Sequence, residues 1–407
     1  MKRYVIVGGG IASVACVEGI RSVDKTGEIV MVAGEGVPTY CRPLISYYLE
    51  RKTTLDKMKY RPDDFYDKAG CRLVYGTADR IDADRRTVYV GDEAIPYDEL
   101  CLATGSTPFV PPFEGIGDVP VRTGFMTQKD ALCLESVLTP DARVLIVGAG
   151  LIGLKCAEGI AHRVKEVTVC DLADRVLSSI LDKPCATRMQ KVLESHGVKF
   201  YLQNSVARFE GSTAVLQDGT RIAFDVLVTA VGVRANVGLV KGIADVDRGV
   251  LTDTHQRTTA PHIYAAGDCA QGYDASIEGA RVVAILPNAY QQGYTAGVNM
   301  AGGDAAFDKG MPLNAIGFFG YHALTAGAYR GETFEVDTDT SVKRLFVENG
   351  RLVGFMLLGD VARAGILTAM VRDRTPLGED IAGIINNEPT LVGLGAAKRK
   401  EILGGVV

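Results

Sequence analysis

Among the nine cysteines of this chain, at 16, 41, 71, 101, 133, 156, 170, 185 and 269, none has a neighbour at CxxC or CxxxxC spacing. That absence argues against an iron–sulfur cluster, a structural zinc site and a disulfide framework. Scattered through apolar runs, the thiols read as small hydrophobes in a reducing compartment, so the cytoplasm is the expected location. Charge of one sign is scarce as well: 44 Lys and Arg face 49 Asp and Glu, a net of −5 that gives no general field for nucleic acid. The basic run Lys398-Arg399-Lys400 reads as a solvated helix end. No stretch approaches the ~20 apolar residues of a membrane span. With a strand expected from residue 3 or 4, no room is left for a signal peptide. Low-complexity segments are missing, and the five histidines compose no Ser-His-Asp set or metal cluster.

What the chain has in excess is glycine, 47 residues of 407, and two glycine turns are near copies of each other. Val5-Ile6-Val7-Gly8-Gly9-Gly10-Ile11-Ala12-Ser13 recurs 140 residues later as Leu145-Ile146-Val147-Gly148-Ala149-Gly150-Leu151-Ile152-Gly153. From Ile6 to Ile20 the copies share eight of fifteen residues, including Cys16/Cys156, Glu18/Glu158, Gly19/Gly159 and Ile20/Ile160. Each reads as a buried strand, a sharp turn and an amphipathic helix. Glycine lets the backbone turn and lets phosphate oxygens reach the amides of the helix start, where the helix dipole favours anions. In the first turn Gly8 and Gly10 take these places and Ser13 replaces the third glycine; in the second, Gly148, Gly150 and Gly153 complete the pattern around Ile152.

A dinucleotide site also needs a carboxylate after its second strand to hold ribose hydroxyls. Glu35 is the first candidate, shifted about one place from the expected position. Asp171, 23 residues after Gly148, is the second. A carboxylate there accepts from an adenosine 2′-OH and repels a 2′-phosphate, which favours NADH, while nearby Arg175 keeps NADPH open.

The chain alternates strands and helices, the mark of an α/β protein. Strands are expected at 29–32, 72–75, 87–90, 99–103, 144–147, 166–170 and 226–231, with helices at 152–163 and from Pro287. Residues 36–70 read as helical. Pro108, Pro111 and Pro112 punctuate a linker, and Gly232-Val233-Arg234 ends the second unit. The tail from 312 reads as strands at 341–347 and 352–358 and a helix at 361–371.

Four motifs in order resemble the pyridine nucleotide-disulfide oxidoreductase superfamily over residues 1 to about 300: Gly8-Gly9-Gly10, Ala103-Thr104-Gly105, the turn at 148–153, and the run from Thr258 to Ala266-Gly267-Asp268. The resemblance implies two Rossmann-like dinucleotide-binding domains and a smaller C-terminal α+β domain. It divides the chain into an FAD-binding domain (1–110 and 236–311), an NAD(P)-binding domain (111–235) and a C-terminal interface domain (312–407) that forms dimers in some relatives. FAD and NAD(H) are the implied cofactors, NADP(H) the lesser alternative. By the same resemblance Asp268 holds the flavin ribityl chain next to Gly267. Thr104 and Gly105 lie at the seam of the domains, and the helix after Asn288 aims its amides at the flavin pyrimidine.

The segment Tyr40-Cys41-Arg42-Pro43-Leu44-Ile45-Ser46-Tyr47-Tyr48-Leu49 is similar to the branch holding rubredoxin reductases, nitrite-reductase flavoproteins and NADH oxidases. There Arg42 matches an arginine that contacts the FAD pyrophosphate. Single-cysteine members place their reactive thiol where this chain has Pro43, so Cys41 is read as structural. Two departures concern charge: Tyr47 stands where the branch has lysine, and Lys155 where it has glutamate. Lys155 is therefore the candidate catalytic residue, a positive charge near the isoalloxazine that would raise its potential.

The implied activity is electron transfer between NADH and a small iron protein, rubredoxin or a ferredoxin-like iron–sulfur protein, through flavin and without a thiol relay. The match of 314–320 to reductases of anaerobes supports that partner. The alternatives are an oxygen-reducing NADH oxidase and a flavin-binding, NADH-responsive interaction protein. Phe318, Phe319, Tyr321 and His322 either line the flavin edge or form the core of the tail.

Overall fold

A computed structural model describes residues 1–377; the basic run at 398–400 and the end of the tail lie outside the described residues. Contacts divide the chain into two compact units, Met1–Gly272 with Ala280–Phe307, and Tyr273–Gly279 with the residues from 308 onward.

In the first unit, β1 (Arg3–Val7) pairs in parallel with β2 (Glu28–Ala33) and β4 (Glu99–Leu102), and β2 continues to β3 (Cys71–Tyr75). These apolar runs sit in a sheet buried on both faces, as parallel sheets are. Val5 and Val7 join one core with Val30, Val32, Leu100 and Leu102. Tyr4 and Ile6 join the opposite one with Ile29, Met31 and Cys101.

A second sheet repeats the arrangement. Here β7 (Arg143–Val147) lies between β8 (Glu166–Asp171) and β10 (Val226–Thr229), with β9 (Val198–Leu202) and the short β6 (Arg122–Thr123) outermost. All its pairs are parallel. The first sheet reaches five strands because β12 (Ile263–Ala265) returns from beyond the second and pairs with β4. The outward and return paths run side by side as β5 (Ser106–Pro108) and β11 (Val233–Ala235), an antiparallel pair.

The strand expected at 226–231 ends at Thr229, and Ala230 donates its N–H to Val147 O at 2.8 Å. Residues 36–70 fold less regularly than expected: α2 (Leu44–Leu49) is followed by the short turns Asp56–Met58 and Phe65–Lys68. Antiparallel three-stranded pieces at 80–96 and 206–223 escaped the periodicity reading, apart from 87–90, because their strands are three to five residues long.

Glycine sets how closely the helices pack. On α1 (Ile11–Val23), a Cβ at Gly19 would stand 2.3 Å from Tyr294 O of α6 (Leu286–Met300). In return, Cβ atoms at Gly293 and Gly297 would stand 2.1 Å from Ala12 O and 2.2 Å from Cys16 O. The two backbones touch, which no side chain would permit. The repeat of Gly19 meets a different partner: Gly159 of α4 (Leu151–Ile160) packs on Ser46 and Leu49 of α2. Helices α3 (Gln128–Val137) and α5 (Lys183–Ser195) complete this unit's longer helices.

The second unit is an antiparallel sheet ordered β13 (Leu313–Phe318), β14 (Tyr321–Gly327), β17 (Arg351–Leu358), β16 (Val342–Glu348), β15 (Glu332–Asp337), with α7 (Ala364–Arg372) packed on it. The helix expected from 361 starts at Ala364, because Arg363 adopts a left-handed φ of 61°. Phe318 is fully buried, and no helix among the described residues is long and apolar enough to cross a membrane.

Candidate active site

The two glycine turns fold alike. Gly8 (φ 143°) donates its N–H to Val32 O at 2.9 Å, and Gly148 (φ 118°) donates to Cys170 O at 2.8 Å. A Cβ would stand 2.0 Å from Ala103 O at Gly8 and 2.2 Å from Ala230 O at Gly148, so each turn presses on the neighbouring strand. Around Gly10 and Gly150, by contrast, nothing lies within 4 Å of an added Cβ. At the third position the copies differ. A Cβ on Gly153 would meet Gly148 O at 2.0 Å, whereas Ser13 is accommodated, fully buried, its Oγ lacking a hydrogen-bond partner. Ile152, in the first turn of α4, is half-buried.

Beside the first turn opens a cleft of about 770 Å³, within the range of about 300–1,000 Å³ usual for cofactor sites. Its wall brings together Gly8, Gly10, Glu35, Arg42, Thr104, Gly105, Gly267 and Asp268. Leu286 and Ala289 of α6 also line it, while Asn288 between them is buried. The starts of α1 and α6 thus reach one cleft, a consequence of their glycine-mediated contact.

Capping chemistry separates these helices from the others. Among the described helices of ten residues or more, α3 is capped by a Thr127–Asp130 box and α5 by Asp182. Helices α1, α4 and α6 have neither a side-chain cap nor an acidic residue in the first turn. The positive ends of these helix dipoles favour an external anion.

Glu35 lies farther from its expected place than one residue. Val32 pairs with Val7 as Cys170 pairs with Val147, so Ala33 is the counterpart of Asp171 and Glu35 stands two places beyond it. It still reaches the cleft, where Tyr40 Oη donates to Glu35 Oε2 at 2.7 Å and Arg42 Nη2 pairs with Oε1. Arg42 Nη1 also donates to Met126 O at 2.9 Å, and Tyr40 Oη accepts from Gln128 N at 2.8 Å. Tyr40 and Gln128 carry no sequence signal for this role; only the fold brings them together.

Asp268 accepts from Ser106 Oγ at 3.0 Å. Burial pushes its carboxyl above the ordinary carboxylate range, against Ser106 and the nearby Arg42 guanidinium, which lower it. No cysteine is among the described residues that line the cleft. Cys269 turns inward, donating to Leu102 O at 3.4 Å and Ala266 O at 3.3 Å. Burial raises the thiol pKa of half-buried Cys41, which favours the protonated, unreactive form.

At the second turn Asp171 accepts from Ala149 N at 2.6 Å and from Ala173 N at 2.7 Å, pinning the glycine loop with its own carboxylate. Arg175 is spent locally on Asp174 (2.6 Å) and on the carbonyls of Leu181 (3.1 Å) and Ser178 (3.3 Å). Gly232, at φ 122°, accepts from Phe109 N at 2.9 Å where the two connecting paths meet.

The positive charge of Lys155 is paired. Its Nζ pairs with Glu158 one turn along α4, and it lies 5.5 Å from the centroid of the Tyr47 ring. Lys52 approaches the same ring at 5.8 Å, itself paired with Glu50. Tyr47, read as the replacement for a lysine, is thus the centre of two paired lysines.

Residues 2–293 match the pyridine nucleotide-disulphide oxidoreductase family. The chain is 29% identical over 395 residues to the NADH-dependent phenylglyoxylate dehydrogenase subunit epsilon of Aromatoleum evansii, covering 92% of each. It is 30% identical over 407 residues to an NADH oxidase of Methanocaldococcus jannaschii, covering 90% of each. The crystal structure of a covalent putidaredoxin reductase–putidaredoxin complex superposes with a TM-score of 0.87 at 25% identity, over 99% of this chain and 98% of that one. Twin glycine turns on twin parallel sheets, with uncapped helices above them, therefore coincide with a family match across most of the chain: it is a member of the pyridine nucleotide-disulphide oxidoreductases, FAD-dependent oxidoreductases of NAD(P)H.

Proposed function

We propose that this protein passes electrons between NADH and a small iron protein, a rubredoxin or a ferredoxin-like iron–sulfur protein, without a thiol relay. The observation that carries the reading is the makeup of the cleft: phosphate-type amides, an aspartate and an arginine line it, and no described lining residue is a thiol. FAD, when bound, supplies two-electron exchange with a nicotinamide and one-electron exchange with an iron centre.

On this reading residues 1–110 and 236–311 hold FAD. Gly8, Gly10 and the α1 amides receive its phosphates with Arg42; Ser13 keeps the turn compact; Glu35 takes the adenosine ribose. Thr104, Gly105, Gly267 and Asp268 hold the ribityl side, and α6 from Asn288 presents its positive end. Residues 111–235 hold NADH on Gly148, Gly150, Ile152 and Gly153, with Asp171 on the ribose and Gly232 at the edge. Arg175, committed to Asp174 and two carbonyls, offers little to a 2′-phosphate, which supports NADH over NADPH. Lys155 tunes the site through charge, balanced by Glu158.

The iron-protein partner draws support from the similarity to a putidaredoxin reductase solved with its putidaredoxin, and NADH as the nucleotide from the similarity to a dehydrogenase subunit named for NADH dependence. Similarity to an NADH oxidase favours a second reading, oxygen as the acceptor. Stopped-flow reoxidation of the NADH-reduced protein separates the two. Rubredoxin or a [2Fe–2S] ferredoxin should reoxidise it faster than oxygen at equal concentration; a faster reaction with oxygen makes it an oxidase.

A further inference from the structure

Asp268 sits on a short strap. Strand β12 ends at Ala265, Ala266 donates its N–H to Leu102 O at 2.9 Å, and Gly267 turns at φ 78° into the single helical turn Gly267–Cys269. A Cβ on Gly267 would stand 3.2 Å from that of Ala12 and 3.6 Å from that of Ala289, so the strap is wedged between α1 and α6.

The amide immediately before Asp268 is not satisfied by the sheet. Gly267 N donates instead to Oε1 of Gln292, a side chain of α6 that is 3% exposed, at 2.8 Å. Gln292 stands one turn beyond Ala289, a residue of the cleft wall. It is therefore a direct tether between the helix whose start faces the cleft and the turn that presents the aspartate.

The other end of the same amide is placed as well. Gln292 Nε2 lies 3.4 Å from the point a side chain on Gly272 would occupy, and Thr252 Oγ1 lies 3.1 Å from it. Thr252 Oγ1 is a buried oxygen with no hydrogen-bond partner. The amide oxygen faces Gly267 N–H; the flipped amide would set donor against donor there. Hydrogen bonding thus selects one orientation of Gln292.

We propose that Gln292 is a positioning residue for the cofactor: it locks the Gly267–Asp268 strap to α6, so that the carboxylate and the helix start enter the cleft as one rigid pair. This rests on the reading that the cleft holds FAD. Gln292 itself does not line the cleft, so its effect passes through Asp268.

The test compares Gln292→Leu, Gln292→Glu and Gln292→Asn with wild type for FAD dissociation constant, visible circular dichroism of the bound flavin, and KM for NADH. Gln292→Leu should raise the FAD dissociation constant on the order of tenfold, as expected for a buried donor left unpaired, and alter the flavin dichroism. KM for NADH should stay within about twofold. Gln292→Glu keeps an acceptor for Gly267 N–H and should recover most of the affinity. Gln292→Asn, the mildest change, should fall between and covers the case in which the leucine variant does not fold. In an Asp268→Asn background the Gln292→Asn loss should shrink, because coupled residues are not additive. Wild-type affinity and dichroism in the leucine or asparagine variant, or full additivity with Asp268→Asn, overturns the role of Gln292. Failure of the wild-type protein to take up FAD overturns the cleft reading itself.

Discussion

Thr104 and Asn236, 132 residues apart, bond each other twice: Thr104 Oγ1 donates to Asn236 O at 2.7 Å, and Asn236 Nδ2 returns to Thr104 O at 2.9 Å. Asn236 N also donates to Gly105 O at 2.9 Å, and its Oδ1 accepts from Thr107. One asparagine therefore ties the chain's return path to its outward path at the wall of the cleft. Asn236→Ala removes the side-chain half of this clamp. It should cost about 1–2 kcal/mol of stability and weaken FAD binding, measured by thermal unfolding and by flavin titration. Asn236→Ala with unchanged flavin affinity would make the clamp purely structural.

A glycine of the cleft and a glycine of the α1–α6 contact should respond differently to the same substitution. Gly10 has an ordinary φ of −95° and nothing within 4 Å of an added Cβ, so Gly10→Ala should fold normally yet intrude on the site of phosphate approach. Gly293→Ala would press on Ala12 O at 2.1 Å and should cost about 1–3 kcal/mol by overpacking. Melting curves without cofactor should move for Gly293→Ala alone, while both variants lose FAD affinity.

Lys155 is 21% and Glu158 9% exposed along their side chains, so each supports the other away from bulk water. Lys155→Glu sets two carboxylates one turn apart and should destabilise the protein more than Lys155→Met does. It should also lower the flavin midpoint potential. The exchange Lys155→Glu with Glu158→Lys should recover stability, read by thermal unfolding. A midpoint unmoved in Lys155→Glu removes this lysine from the electronics of the site.

Asp171 has two tasks, and one substitution reports on both. Asp171→Ser should raise KM for NADH by roughly tenfold or more through loss of ribose contact and of the Ala149 tether. Activity with NADPH should not rise correspondingly, because Arg175 stays committed to Asp174 and to the carbonyls of Leu181 and Ser178. Steady-state kinetics with both nucleotides decides it; a large gain with NADPH would mean that Arg175 frees itself readily.

The sequence alone determined the two strand–turn–helix units and their dinucleotide chemistry, because those properties reside in local patterns. Glycine spacing after a buried strand, repeated 140 residues on, marks a phosphate-accepting turn. Cysteine spacing likewise excludes a CxxC or CxxxxC dithiol before any fold is known. Gly8, Gly10, Thr104, Gly105, Gly267 and Asp268, spread over 260 residues, were legible individually, and the fold brings them to one cleft.

Tertiary structure decided what depends on approach between distant segments. The contact of α1 with α6, set by Gly19, Gly293 and Gly297, aims both helix starts at the same cleft. The place of Glu35 followed from strand register, and the pairing of Lys155 with Glu158 from side-chain geometry on one helix face. Asn236 and Gln292 gave no motif, because their hydrogen bonds go mainly to main-chain atoms brought near by folding and leave no spacing to read.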